Sequence, residues 1–327
     1  MASLCVLLIS CSQLQAFTGA GFRQRSGLTT TNTTGHLTVK MGTFAKVLLA
    51  SICVAFLAVK WNAPTLDAES LRGARVLVTG ASTGIGEQIA YHYARFGARV
   101  VITARREKVL QQVAEKCTSL GAQEALYIAA DMGSEQDPEK VVEFALEKLG
   151  GLDYLVLNHI GVSHFKMWDG DVEYFEWLMK VNLFSYVQMA SKAMDSLEQS
   201  KGSLVIISSL LGKVASPFMA PYSSTKAALN GFFRSLYHEL SLKKSNVSIT
   251  LCTLGFIDTD AAMEKVGKLT DVPAASATDA ALNIVTAGAL RKEELFYPWK
   301  TYIVTLTKDW FPPITNHIMQ NIFKYEP

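Results

Sequence analysis

Tyr222 and Lys226 stand four residues apart at the start of an amphipathic stretch, so a helix there carries both on one face. A phenol of unperturbed pKa about 10 is a poor acid–base group near neutrality, and a nearby ammonium lowers that value by favouring the phenolate. So placed, Tyr222 can exchange a proton with a carbonyl or an alcohol. Ser209 lies thirteen residues earlier, at the end of an apolar run, and its hydroxyl can hydrogen-bond the same oxygen. Asn182 falls in the long helix-like stretch before that run. Alone, the Tyr-x-x-x-Lys spacing is near noise, because a chain with 11 tyrosines shows about one by chance. Position gives it weight. In an open α/β sheet the ligand sits beyond the carboxyl ends of the strands, where Ser209 and the start of this helix meet.

A second feature points to what such a proton transfer would accompany. The apolar run Arg75–Thr79 leads into Gly80-Ala81-Ser82-Thr83-Gly84-Ile85-Gly86 and then into a helical stretch. The glycines allow a tight turn, close backbone approach to a pyrophosphate and close helix–strand packing, and the helix start offers N–H groups to phosphate. No Gly-Lys-Ser/Thr follows, which excludes a nucleotide triphosphate loop. An NAD site wants an acid about 20 residues further on to hold the ribose 2′-OH. Here that region reads Thr103-Ala104-Arg105-Arg106, which suits the 2′-phosphate of NADP(H). Two solvated arginines at a helix start are the plainer alternative, though the helix dipole slightly disfavours cations there.

These residues need a scaffold. Strand-like runs cover Arg75–Thr79, Arg99–Thr103, Ala125–Ala129, Asp153–Leu157, Ser203–Ser208, Val247–Cys252 and Leu295–Tyr297. Helix-like stretches alternate with them at Ile85–Phe96, Glu107–Leu120, Pro138–Leu149, Val172–Leu197, Tyr222–Leu242 and Thr278–Leu290. That alternation predicts an α/β fold: one Rossmann-type doubly wound parallel sheet with helices on both faces, spanning about residues 70–298. The chain has 327 residues, a net charge of +2 and a mean hydropathy of +0.19. A near-neutral balance argues against nucleic acid as partner. The five cysteines form no C-x-x-C or Cys/His cluster, so neither a metal nor a disulfide framework is expected. Part of the apolar excess lies in the uncharged run Val47–Val59 between Lys46 and Lys60, read as a membrane anchor over 44–61 behind a leader or alternative start at 1–43. Another part belongs to the sheet buried on both faces, and a third marks 299–327 as an apolar tail suited to a lipid interface, a dimer contact or plain packing.

The combination resembles the short-chain dehydrogenase/reductase family: TGASTGIG at 79–86, Asn-His-Ile-Gly at 158–161 in place of the usual Asn-Asn-Ala-Gly, Val-Asn at 181–182, Ser-Ser at 208–209 and Tyr-x-x-x-Lys at 222–226. Within it, SSLLGKVASP, LNGFFRSL and NVSITLCTLGFIDT resemble the 11β-hydroxysteroid dehydrogenase type 1 group, and DYLVLNHIG and FYPW favour its 1-like branch. The resemblance implies Ser209, Tyr222 and Lys226 as catalytic residues, Ser209 and Tyr222 against the substrate, with Asn182 positioning a water in the relay to Lys226. It implies Gly80, Ser82, Thr83, Gly84, Ile85 and Gly86 around the pyrophosphate, and Arg105 and Arg106 at the adenosine phosphate. Asp131 and Met132 would border the adenine, Asn158, His159 and Ile160 the ribose, and Ile257, Asp258 and Thr259 the nicotinamide, with Tyr222 and Lys226 also on the cofactor. The imidazole of His159, lacking a carboxylate or metal partner, reads as structural. Thr83 stands where the type 1 enzymes carry a lysine, so the NADP(H) preference rests on the two arginines.

The resemblance further implies a ketone–alcohol oxidoreductase acting on a small hydrophobic, steroid-like substrate. Homodimerisation and an endoplasmic reticulum membrane location with a luminal catalytic domain come with it, secretion after cleavage being the alternative. Sequons at Asn32 and Asn246 suit a glycoprotein of either compartment. Two rivals remain: a reductase of a retinoid, lipid or xenobiotic carbonyl, and a catalytically idle NADP-binding interaction protein, against which the intact Ser209, Tyr222, Lys226 and Asn182 set argues.

Overall fold

Alternation of side chains along each strand decides how the sheet is buried. The computed structural model describes residues 64–267 and 269–323. Its seven strands are β1 (Arg75–Thr79), β2 (Arg99–Ala104), β3 (Glu124–Ala129), β4 (Tyr154–Leu157), β5 (Ser203–Ser209), β6 (Ser248–Leu254) and β7 (Glu294–Tyr297). They form one sheet in the order β3-β2-β1-β4-β5-β6-β7, every neighbouring pair parallel. Val76, Val78, Val100, Ile102, Val205 and Ile207 face one core, which Ile89, Val113 and Ile284 complete. The residues between them, Leu77, Val101, Leu204 and Ile206, face a second core with Val142, Met189 and Phe233. Successive strand residues point to opposite faces, so two helical layers must cover the sheet. Each such aliphatic side chain taken from water contributes roughly 1.5–3 kcal/mol.

The covering helices on the first face are α1 (Gly84–Arg95), α2 (Glu107–Leu120) and α8 (Ala277–Ala289). The second face takes α3 (Asp137–Leu149), α5 (Ser185–Ser200) and α6 (Ala220–Leu242), with α4 (Val172–Met179) leading into α5. The strand order reverses between β1 and β4, and at such a switch point the crevice beyond the strand ends receives a ligand.

Three local features depart from the periodicity. The stretch expected as one helix over Val172–Leu197 is interrupted by a π-helical turn at Lys180–Phe184, which carries Asn182. Such turns concentrate at functional sites. A short helix α7 (Asp260–Lys265) follows β6, too brief to show a hydrophobic period and started by Thr259, whose Oγ1 accepts from Ala262 N at 3.3 Å. Beyond β7, the tail folds into α9 (Lys300–Trp310) and α10 (Pro312–Asn321), the second opened by two prolines at positions where no N–H is needed. The expected leader, the anchor run and Asn32 lie outside the described residues. Among the described residues no helix is long and apolar enough to cross a membrane.

Candidate active site

The glycines of the loop have no room for side chains. Gly80 and Gly84 hold φ of 63° and 65°, a backbone region that favours glycine. A Cβ on Gly86 would overlap the carbonyl oxygen of Gly80, and one on Gly80 would come within 2.8 Å of the His159 backbone. Asn158 closes the floor: its Nδ2 donates to Thr79 O at 3.1 Å and to Gly80 O at 3.2 Å. Thr83, at the N-cap of α1, accepts no capping hydrogen bond from the helix, so its first N–H groups are left to a ligand. Gly84, Ser276 and Thr259 are among the residues lining a cleft of about 250 Å³ beside this helix start.

Arg106 crosses from the end of β2 onto the same loop. Its Nη2 donates to Ser82 Oγ at 3.0 Å and to Thr83 Oγ1 at 3.1 Å. Arg105, next to it, is exposed. One guanidinium, that of Arg106, thus stands at the lip of the glycine loop. Asp131, beyond β3, is exposed and shapes its own turn, its Oδ1 accepting from Gly133 N at 2.9 Å, while Met132 is buried.

The acid–base residues meet across β5 and α6. Ser209 ends β5 and caps the short turn Leu210–Gly212, its Oγ accepting from Leu211 N at 3.1 Å. A side chain on Gly212 would lie 2.7 Å from the Lys226 carbonyl group, so this turn packs directly on the helix that carries Tyr222 and Lys226. Lys226 is 1% exposed, and its Nζ donates to Ile207 O at 2.8 Å and lies 5.9 Å from the centre of the Tyr222 ring. Burial brings its pKa down to about 7. The Tyr222 phenol is pushed up by burial, and a hydrogen bond with Ser209 pulls the other way. This differs from the expectation that the ammonium would lower the phenol. Lys226 is aimed at the Ile207 carbonyl and is itself readily deprotonated, so burial dominates at Tyr222.

Asn182 is fully buried with both ends of its carboxamide engaged: Oδ1 accepts from Gly161 N at 2.8 Å and Nδ2 donates to Thr225 Oγ1 at 3.1 Å. It ties the end of the β4 segment to the helix of Tyr222. His159 is also buried, with Nδ1 2.8 Å from Thr79 Oγ1 and Nε2 2.7 Å from Ser185 Oγ. Burial, assisted by the charge of Lys226, drives its pKa to about 3, so the ring is neutral. The imidazole has no nitrogen to spare, and only its backbone borders the glycine loop. Ile160 is half exposed, whereas Ile257 is buried and Asp258 holds the start of α8 through Ala277 N.

Three supporting residues escape the sequence reading. Thr79 receives the Asn158 amide at 2.9 Å as well as His159, and a lone hydroxyl ending an apolar strand was its signal. Tyr186 donates to His159 O at 2.6 Å and puts its ring 5.4 Å from Lys226 Nζ. Gly212 matters only because β5 and α6 approach closely. Nothing local marks the last two.

The short chain dehydrogenase family model matches residues 74–269. A "hydroxysteroid 11-beta-dehydrogenase 1-like protein" from Danio rerio is 60% identical over 287 residues, covering 88% of this chain and 100% of that one. Its counterpart from Gallus gallus is 54% identical over 285 residues, covering 87% and 99%. Among solved structures, an alcohol dehydrogenase from the archaeon Thermococcus sibiricus complexed with 5-hydroxy-NADP superposes with a TM-score of 0.59 at 26% identity, covering 68% of this chain and 94% of that one. A short chain dehydrogenase/reductase family protein gives a TM-score of 0.61, also at 26% identity, covering 69% and 96%. The chain belongs to the short-chain dehydrogenase family and is an oxidoreductase homologous to hydroxysteroid dehydrogenase-like proteins.

Proposed function

We propose that this protein is an NADP(H)-dependent oxidoreductase interconverting a ketone and a secondary alcohol on a hydrophobic, steroid-like substrate. The observation that carries this reading is the convergence of Ser209, at the end of β5, with Tyr222 and the buried Lys226 of α6, beside an uncapped glycine loop. The residues fit the cofactor: Gly80 and Gly86 admit no Cβ, the first amides of α1 are not capped by Thr83 and suit a pyrophosphate, and Arg106 on Ser82 and Thr83 supports a 2′-phosphate contact. When bound, NADPH supplies the hydride.

The chain supplies the proton and the orientation. Tyr222 Oη, held protonated by burial, donates to the oxygen of the carbonyl as it becomes an alcohol, and Ser209 Oγ hydrogen-bonds that oxygen. Lys226 Nζ, with a pKa of about 7, can both give and take the proton that resets Tyr222. The carboxamide of Asn182 is occupied, so a relay water would be held by the backbone of its π turn. A hydrophobic substrate is supported by apolar side chains left open beyond β4 and β6, among them Val162, Met167, Trp168 and Met263, and by the name of the Danio rerio relative. The same reading makes the protein a homodimer held by Val47–Val59 on the endoplasmic reticulum membrane with its catalytic domain in the lumen; digestion of that domain by protease in sealed microsomes would refute this location.

Purified Tyr222→Phe tests the chemistry. Turnover of 11-keto steroids with NADPH should fall roughly 10²–10⁴-fold while NADPH still binds. Equal turnover in wild type and variant would sink the mechanism, and preference for retinoid or simple lipid carbonyls in the same panel would move the substrate class.

A further inference from the structure

Three phenylalanines from distant parts of the chain meet in one cluster. The ring of Phe165 lies 4.9 Å from that of Phe218 and 4.9 Å from that of Phe323, and Phe218 lies 6.2 Å from Phe323. Phe165 sits in the segment that leaves β4, Phe218 in the loop between β5 and α6 four residues before Tyr222, and Phe323 just after α10. Hydrogen bonds run along the same seams. Lys166 N donates to Phe218 O at 3.2 Å, Lys265 Nζ to Ser163 O at 3.1 Å, and Thr270 Oγ1 to Ile322 O at 2.9 Å.

The segments leaving the carboxyl ends of β4, β5 and β6 are thereby joined to one another, and Ile322 and Phe323 make the closing contacts. In an open parallel sheet these are the segments that border a bound substrate. Phe218 holds φ at 65°, uncommon for a bulky side chain and maintained only where the surroundings over-determine it. The aromatic cluster and the Lys166 hydrogen bond supply that determination.

We propose that Phe323 is a specificity-determining residue, and that the segment from α9 to Phe323 is a strap setting the spacing of the substrate walls. The inference rests on the proposed carbonyl reductase function and adds its size selectivity. A rigid, fused-ring ketone reaching from Tyr222 to these walls draws binding energy from them, whereas a small ketone held only at Tyr222 and Ser209 does not.

The test compares Phe323→Ala and Thr270→Val with wild type, using NADPH and two ketones, an 11-keto steroid and cyclohexanone. Each variant should raise KM for the fused-ring ketone, roughly five- to tenfold for Phe323→Ala given the loss of two ring contacts. Cyclohexanone kinetics and NADPH affinity should not change, and Phe323→Tyr should keep the wild-type KM. Equal losses on both ketones, or no change on either, overturn the strap. Amide hydrogen exchange is the second measurement: residues 162–171 and 214–219 should exchange faster in Phe323→Ala. If wild type reduces neither ketone, the functional reading fails, and exchange decides the strap alone: faster exchange keeps it, unchanged exchange overturns it.

Discussion

The two sides of the crevice are built by different physics. On the side of β1 and α1, contacts are made by backbone and by buried polar groups: Gly86 against the Gly80 carbonyl, Asn158 across Thr79 and Gly80, His159 between Thr79 and Ser185. Little there can shift without breaking a hydrogen bond or creating a clash. On the side beyond β4, β5 and β6, the walls are loops and short helices whose apolar side chains are half open, joined by single hydrogen bonds and one aromatic cluster. The comparison teaches a division of labour. On the proposed function, a ligand of fixed geometry gets the rigid cradle, and selectivity is left to segments that can change without unfolding the sheet.

Acid should expose the rigid side first. His159 has a pKa of about 3 in the folded protein against an ordinary 6.5, so between those values the unfolded chain binds more protons and stability falls as pH drops. From about pH 7 to about pH 4 the loss from this group is on the order of 3 kcal/mol. Urea unfolding at both ends should show it in wild type, and His159→Gln should lose correspondingly less; parallel pH curves would remove His159 from the account. Gly86→Ala should cost about 1–3 kcal/mol, read as a lower urea midpoint, and should abolish NADPH binding. An unchanged midpoint with tight binding would show the cradle to be softer than its geometry. Arg106→Leu is a lesser perturbation at the lip of the loop: NADPH affinity should fall roughly tenfold or more while NADH affinity holds. Equal changes for the two cofactors would take the 2′-phosphate away from this residue. At the small end, Lys166→Ala removes an exposed ion pair with Asp169 on the softer side and should leave Tm and cofactor affinity unchanged. A clear loss of Tm there would blur the distinction between the two sides.

How much of this could be read from residues alone depended on the range of the interaction. The strands and most helices were legible within a residue or two, because burial on both faces demands apolar runs and covering helices demand their own period. Helix α7 was not, since six residues carry no period, and α9 and α10 were not, since half-exposed apolar residues read equally well as lipid-facing tail. In the site, the glycine loop and Tyr-x-x-x-Lys were legible because a tight turn and an i, i+4 pair are local demands. Thr79 left a faint trace as a hydroxyl at a strand end. Tyr186, Gly212 and Phe323 left none.

The sequence by itself determined a doubly wound parallel sheet, a glycine-rich strand-to-helix loop and a tyrosine–lysine pair on one helical face, all of them properties of neighbours in the chain. Only the tertiary structure decided the rest. It turned Lys226 onto the Ile207 carbonyl and lowered its pKa, committed the Asn182 carboxamide to Gly161 and Thr225, laid Arg106 over Ser82 and Thr83, and brought Phe165, Phe218 and Phe323 into one cluster. The physical reason is that desolvation and side-chain contacts depend on which distant segments arrive at a point in space, and no local pattern encodes who arrives.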